Sequence, residues 1–271
     1  MKKASCVLFA GILCAALLCG CSAPEHAETV VYTENSAWPK LCVTVTYEGA
    51  DARKAKILQV VSEDPVWELM YIYPGENTRF TKDAVLFYDV NFDGEKDILL
   101  PKSKTEQGVT FTAYLWDSIK GNFVYCETFE SIVNPITDAA TERILSGWES
   151  GSEGTYGIYR YSKDFARFEL QRDVRWQPAE NGNYRFTEGI YSYQMYLSAA
   201  PVARLISEET AEIPAKDGAP DRDHADAERF FAENDFWRIG HAEWDASLAF
   251  WYEHLDRAEK GKDGGKEIVS Q

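Results

Sequence analysis

The feature that most constrains the fold is a succession of short runs rich in β-branched and aromatic residues, each closed by a turn signal. Leu41–Tyr47 reads LCVTVTY, Lys56–Ser62 reads KILQVVS, and Val66–Tyr73 reads VWELMYIY before Pro74-Gly75. Runs of this kind, alternating or aromatic-rich, suit the half-buried pleated surface of a strand. Ala84–Val90 runs into an acidic stretch, and Asp97–Pro101 leaves it with the same strand character. Residues 112–129 then form an aromatic strand, a polar turn ending in Gly121-Asn122 and a second aromatic strand. Residues 156–172 repeat that plan, and residues 182–197 read as a third hairpin. Repeated Tyr-, Phe- and Trp-rich hairpins predict a mainly β chain of antiparallel units stacked side by side, propeller-like or sandwich-like. Their irregular spacing points to blade-like units, not a regular propeller. Residues 41–212 are assigned to one β domain, long enough to bury a sizeable core.

The two ends have a different character. Lys2 and Lys3 precede an apolar run, Val7 to Leu18, of signal-peptide length and too short to span a bilayer. Residues 1–20 are therefore expected to leave as a signal peptide, and residues 21–40, small, polar and Pro-punctuated, to serve as a flexible tether. The segment Leu18-Cys19-Gly20-Cys21 resembles the lipobox of bacterial lipoproteins, which implies that Cys21 is lipidated and becomes the first residue of a membrane-anchored chain. At the other end, residues 213–271 read as a linker and a helical acidic tail. Trp237, His241, Trp244, Leu248, Trp251 and Leu255 recur at helical spacing, an amphipathic stripe. The 11 acidic and 5 basic residues between Asp221 and Lys260 oppose an anionic lipid surface. The stripe is expected to dock on the β domain or on a partner.

Charge narrows the partners. The loss of Lys2 and Lys3 with no acid moves the net charge from −16 to −18. Such a surface opposes phosphate backbones, so nucleic acid is excluded and a cation or cationic partner favoured. Of six cysteines, Cys42 and Cys126 are left after processing and acylation. Spacing leaves open a Cys42–Cys126 disulfide or two buried thiols in separate strands.

The acidic stretch DVNFDGEKD, Asp89–Asp97, would repel itself unless something offset its charge. Asp89, Asn91, Asp93 and Asp97 stand at positions 1, 3, 5 and 9, with Gly94 at 6 and Glu95 at 7. Oxygen ligands at alternate positions, a Gly for a sharp turn, then a carbonyl donor is how a short loop wraps Ca²⁺. Asp89, Asn91, Asp93 and Asp97 would offer side-chain oxygens and Glu95 its carbonyl. Position 12 is Leu100 where an EF-hand needs a bidentate Glu, so the expected affinity is modest, with Kd about 10⁻⁴–10⁻³ M as in extracellular modules. A solvated acidic turn is the plain alternative, since Asp-Gly is a common turn pair.

DVNFDGEKDILL resembles the Asp-x-Asn-x-Asp-Gly-x-x-Asp calcium loop of FG-GAP and integrin α-type β-propeller repeats, which carry one such loop per blade. A single loop followed by YLWDSIKGNFVY and SGWESGSEGTYGIYRYS looks like a family of bacterial envelope lipoproteins with a propeller-like fold, over roughly residues 56–197. Some of that family are immunity proteins that inhibit lysozyme-like, cell-wall-degrading effectors delivered by type IV secretion. The resemblance implies an exported, non-catalytic binding or inhibitor module with calcium as its one cofactor.

No HExxH, GxSxG, P-loop or GxGxxG motif occurs. His26 lies in the tether and His224, His241 and His254 in the tail. A carboxylate pair is always available among 44 acids, so none marks a glycosidase. A non-enzyme is expected; the alternative is an envelope hydrolase acting on glycan or peptidoglycan through an unrecognised carboxylate site.

Overall fold

Residues 97–126 show why the chain stacks sheets. Ile98, Leu100, Trp116 and Phe123 point one way and Leu99, Val109, Phe111, Ala113 and Leu115 the other, and all are buried. A strand set that buries both faces needs a layer on each side. The computed structural model describes residues 26–32, 41–48, 54–63, 66–73, 82–150, 152–194, 202–221 and 223–232. It supplies those layers.

The first sheet is β1 (His26–Tyr32), β2 (Leu41–Tyr47), β3 (Ala55–Glu63) and β4 (Val66–Ile72), each antiparallel to the next. The second is β5 (Leu86–Tyr88), β6 (Asp97–Thr105), β7 (Gly108–Asp117) and β8 (Asn122–Cys126). The third runs without a crossover through β9 (Ile136–Asp138), β10 (Arg143–Glu149), β11 (Gly154–Ser162), β12 (Arg167–Pro178), β13 (Tyr184–Gln194) and β14 (Val202–Ile213). A two-stranded hairpin, β15 (Ala215–Lys216) and β16 (Ala219–Pro220), leads into the short helix α1 (Ala225–Ala232). Leu41, Val43, Val45, Leu58, Val60 and Ile72 of the first sheet meet one face of the second. Ile144 and Phe168 of the third, with Phe129 and Ile132 of the connection, meet the other. The fold is mainly β and antiparallel, and its stacked meanders are blade-like, as the hairpin pattern predicts.

α1 closes the outer side of the third sheet. Its Ala227 and Phe230 pack among Trp176, Tyr184, Phe186 and Ile213. Trp176 stacks on Phe186 with ring centroids 5.6 Å apart, and Phe186 meets Phe230 at 5.9 Å.

Three sequence expectations need amendment. The stretch assigned to a tether contains β1, where Val30 and Val31 stand opposite Val43 and Cys42; Thr29-Val30-Val31-Tyr32 has the β-branched character of a strand. Residues 182–197 are not a hairpin, because β13 runs through Gly189 and pairs with β14. Gly189 is there for space: a Cβ would lie 2.7 Å from Asp173 Oδ1 and 2.8 Å from the Tyr191 hydroxyl. Of the two cysteine alternatives that spacing leaves open, the structure has the thiols, with no bond between Cys42 and Cys126. Cys126 faces the core between second and third sheets, while Cys42 alternates with Leu41 and Val43, which face the second sheet's opposite side. The residues expected to be only linker and tail begin with β-structure, the end of β14 and the hairpin β15–β16. The Trp237–Leu255 stripe, the signal peptide and Cys21 lie outside the described residues.

Candidate metal centre

The acidic loop joins β5 to β6, at the place where the second sheet meets the third. Tyr88 and Phe92 pack against the same core cluster as Tyr159 and Tyr161 of β11, a cluster that includes Phe168 of β12. The loop folds by turning its side-chain oxygens onto its own amides. Asp89 Oδ1 accepts from the Asp93 amide at 3.2 Å and Oδ2 from the Gly94 amide at 3.0 Å. Asn91 Oδ1 also accepts from the Asp93 amide, at 3.1 Å, while Asn91 Nδ2 donates to Asp93 Oδ2 at 3.0 Å. Asp93 Oδ1 accepts from the Glu95 amide at 2.8 Å. Short polar side chains that bond backbone two to five residues ahead wind a chain tightly. Gly94 meets the winding with φ +94° and Phe92 with φ 60°. A left-handed Phe is uncommon, and its side chain is packed against the core beneath the loop.

Asp97 is different. It is 0% exposed, and both its oxygens accept backbone hydrogen bonds at 2.9 Å, Oδ2 from Val90 and Oδ1 from Trp116. The second bond reaches across to β7, so Asp97 ties the loop to the body of its sheet. Burial pushes its carboxyl up to about 8, the charges of Asp93 and Asp89 push the same way, and the two amides oppose them. Both oxygens are thus occupied as acceptors, an arrangement suited to the ionised form, in surroundings that resist ionisation.

Among the described residues, no three His, Cys, Asp or Glu side chains gather closely enough to hold a metal ion by themselves. The sequence-assigned set Asp89, Asn91, Asp93, Glu95 and Asp97 therefore shares one loop without making an all-acid cage. Its donors are all oxygen: three carboxylates, one amide oxygen and one backbone carbonyl, which suits a hard cation. Asn91 is only 6% exposed and Asp97 fully buried, whereas Asp93 is exposed.

Two contributions escaped the sequence. Trp116, whose amide caps Asp97, reads there only as a core aromatic. Tyr161 on β11 has its hydroxyl pushed up to about 12, by burial first and then by charges that include Asp97 and Asp93. Its place beside the loop depends on how the third sheet lies against the second, which no local pattern records.

No protein-family model and no curated protein matches the chain. Among solved structures it is similar to one described as a Xanthomonas type IV secretion system related protein. That likeness has a TM-score of 0.42 and 13% identity, covering 69% of this chain and 98% of the other. It is too loose to inform activity, ligand or partner. Among the described residues no helix is long and apolar enough to cross a membrane.

Proposed function

We propose that the chain is a non-catalytic, lipid-anchored protein of the cell envelope whose Asp89–Asp97 loop takes Ca²⁺, and that it acts as a binding or inhibitor module, with a cell-wall-degrading effector as the kind of partner its resemblance implies. The observation that carries the calcium reading is Asp97. A carboxylate with both oxygens on amides, buried and pressed by the charges of two further aspartates, calls for a cation. The side-chain oxygens of Asp89, Asn91, Asp93 and Asp97 and the carbonyl of Glu95 are the donors that would hold it. The ion would replace carboxylate repulsion with attraction and fix the connection between β5 and β6; it supplies no chemistry beyond that.

The test is thermal unfolding of the mature chain in calcium at about 100 times the expected Kd, roughly 10–100 mM, against excess chelator. Calcium at 100 times Kd is expected to stabilise the fold by about 2.7 kcal/mol, and Asp93→Ala to remove most of that gain. Asp51→Ala, outside the loop, should leave it intact. An identical midpoint with and without calcium in wild type would remove the ion from the reading.

Anchoring has its own test. Mass spectrometry of the native N-terminal peptide is expected to find diacylglyceryl-modified Cys21 as residue one, and Cys21→Ser to accumulate as uncleaved precursor. Cleavage elsewhere, or an unmodified Cys21, contradicts the anchor. The inhibitor role predicts that the purified chain slows peptidoglycan hydrolysis by a lysozyme-like effector in a turbidity assay while clearing no peptidoglycan itself.

A further inference from the structure

β14 is the last strand of the third sheet and, among the described residues, pairs on one side only, with β13. The free side of such a strand presents a row of amide and carbonyl groups ready to pair with another chain. Natural edges are usually blunted by short length, charged side chains, Pro or a bulge. The middle of β14 carries neither charge nor Pro: it reads Leu205-Ile206-Ser207, with Leu205 45% and Ile206 61% exposed, and Val202 nearby is 54% exposed. β13 pairs with Leu205 and with Ser207 but passes over Ile206, so the strand bulges at that residue. Charge along the strand is segregated about this apolar centre. Arg204 stands on one side, Glu208 and Glu209 on the other, all exposed. Glu208 has a guanidinium near it, that of Arg175 at 3.9 Å, but both side chains are half-exposed, and such pairs contribute little.

A strand with a basic residue before its centre and acidic residues after it is complementary to itself when reversed. We propose that β14 is a homodimer interface, two copies pairing edge to edge and antiparallel about a two-fold axis near Ile206–Ser207, with Arg204 of each copy against Glu208 and Glu209 of the other. The pairing extends the third sheet through the axis, brings the two Ile206 side chains together, and gives the amide and carbonyl groups of each edge a partner in the other. A two-fold contact uses the same patch twice, so each charge pair forms twice, and strand addition draws its affinity from main-chain bonds with side chains setting the register.

The experiment is sedimentation and light scattering of the mature chain over micromolar to submillimolar concentrations, with circular dichroism to confirm that each variant is folded. Wild type is expected to dimerise. R204E should weaken the dimer at least tenfold by setting like charges against each other, and the R204E/E208R/E209R variant should restore it. I206K, which puts two ammonium groups at the axis, should be monomeric. A wild-type chain that stays monomeric throughout overturns the proposal, whether the edge is covered by residues 233–271 or kept for a basic partner. A dimer that R204E leaves unchanged overturns it equally, by placing the interface elsewhere.

Discussion

Asn134→Ala is expected to lower the stability of the fold by about 3–5 kcal/mol, since each buried polar group left unsatisfied costs about 1–3 kcal/mol. Asn134 is 2% exposed and has φ 49°. Its Oδ1 accepts from the Val109 amide at 3.0 Å, and its Nδ2 donates to the carbonyls of Gln107 at 3.1 Å and Gly147 at 2.8 Å. Its own amide donates to the Val109 carbonyl at 2.9 Å. One side chain thereby ties β7 and the turn before it, in the second sheet, to β10 in the third. It also fills the space over Gly108, where a Cβ would lie 2.1 Å from its Oδ1. Alanine orphans the Val109 amide, deprives two carbonyls of their donor and leaves a void. For a domain of this size the midpoint should fall by about 2–4 °C per kcal/mol.

Asn134→Asp sharpens the test. Aspartate keeps an acceptor for Val109 but turns an oxygen on the two carbonyls that now receive N–H. A buried carboxylate facing two carbonyl oxygens has its folded-state pKa raised above its unfolded value, so its stabilising form is the protonated one. The variant should therefore be as weak as Asn134→Ala at neutral pH and recover stability as pH falls towards the ordinary carboxylate range. Urea unfolding followed by tryptophan fluorescence measures both. A loss under about 1 kcal/mol for Asn134→Ala, the size typical of an ordinary substitution, would show that Asn134 is not the tie between sheets.

Nothing in NPITD, where Asn134 sits, announces this. Its three partners are 13 to 27 residues away and come together only once the sheets have stacked. What local pattern does record is periodicity. In β2 the alternation of Leu41, Val43 and Val45 with Cys42, Thr44 and Thr46 is the alternation of buried and half-exposed positions. The same holds for the aromatic hairpin of β7 and β8, where Trp116 meets Phe123 edge-on at 5.1 Å. Local pattern misleads where tertiary contact overrides a residue's usual meaning. Gly189 resembles a turn but makes room for Tyr191 and Asp173, and β1 lies in a stretch whose Pro, Ser and Glu neighbours suggest a tether. β9, Ile136–Asp138, is too short for any periodicity to show. In the acidic loop, the positions of Asp89, Asn91 and Asp93 and the need for glycine at 94 were readable from spacing. The burial of Asp97 was not, because it depends on β7 lying across the loop.

That burial makes Asp97 separable from the other loop carboxylates by experiment. Asp97→Ala should lower stability by about 2–4 kcal/mol even in excess chelator, because the Val90 and Trp116 amides lose their acceptor in a site closed to water. Relief of the buried carboxyl offsets part of that cost, which is why the expected loss is below the full price of two orphaned amides. Asp93→Ala should behave otherwise. Its side chain is exposed and bonds only within the loop, so in chelator it should cost about 1 kcal/mol or less, the net worth of a solvated hydrogen bond. In calcium the two variants should both lose the gain of about 2.7 kcal/mol that an ion at 100 times Kd confers on wild type. Asp97→Ala in calcium is then the weakest of the set, carrying both losses together. The measurement is a four-way comparison of unfolding midpoints, two variants each in calcium and in chelator, against wild type. Equal losses for Asp93→Ala and Asp97→Ala in chelator would deny Asp97 its anchoring role. Variants that kept the calcium-dependent gain in full would place the ion somewhere other than this loop.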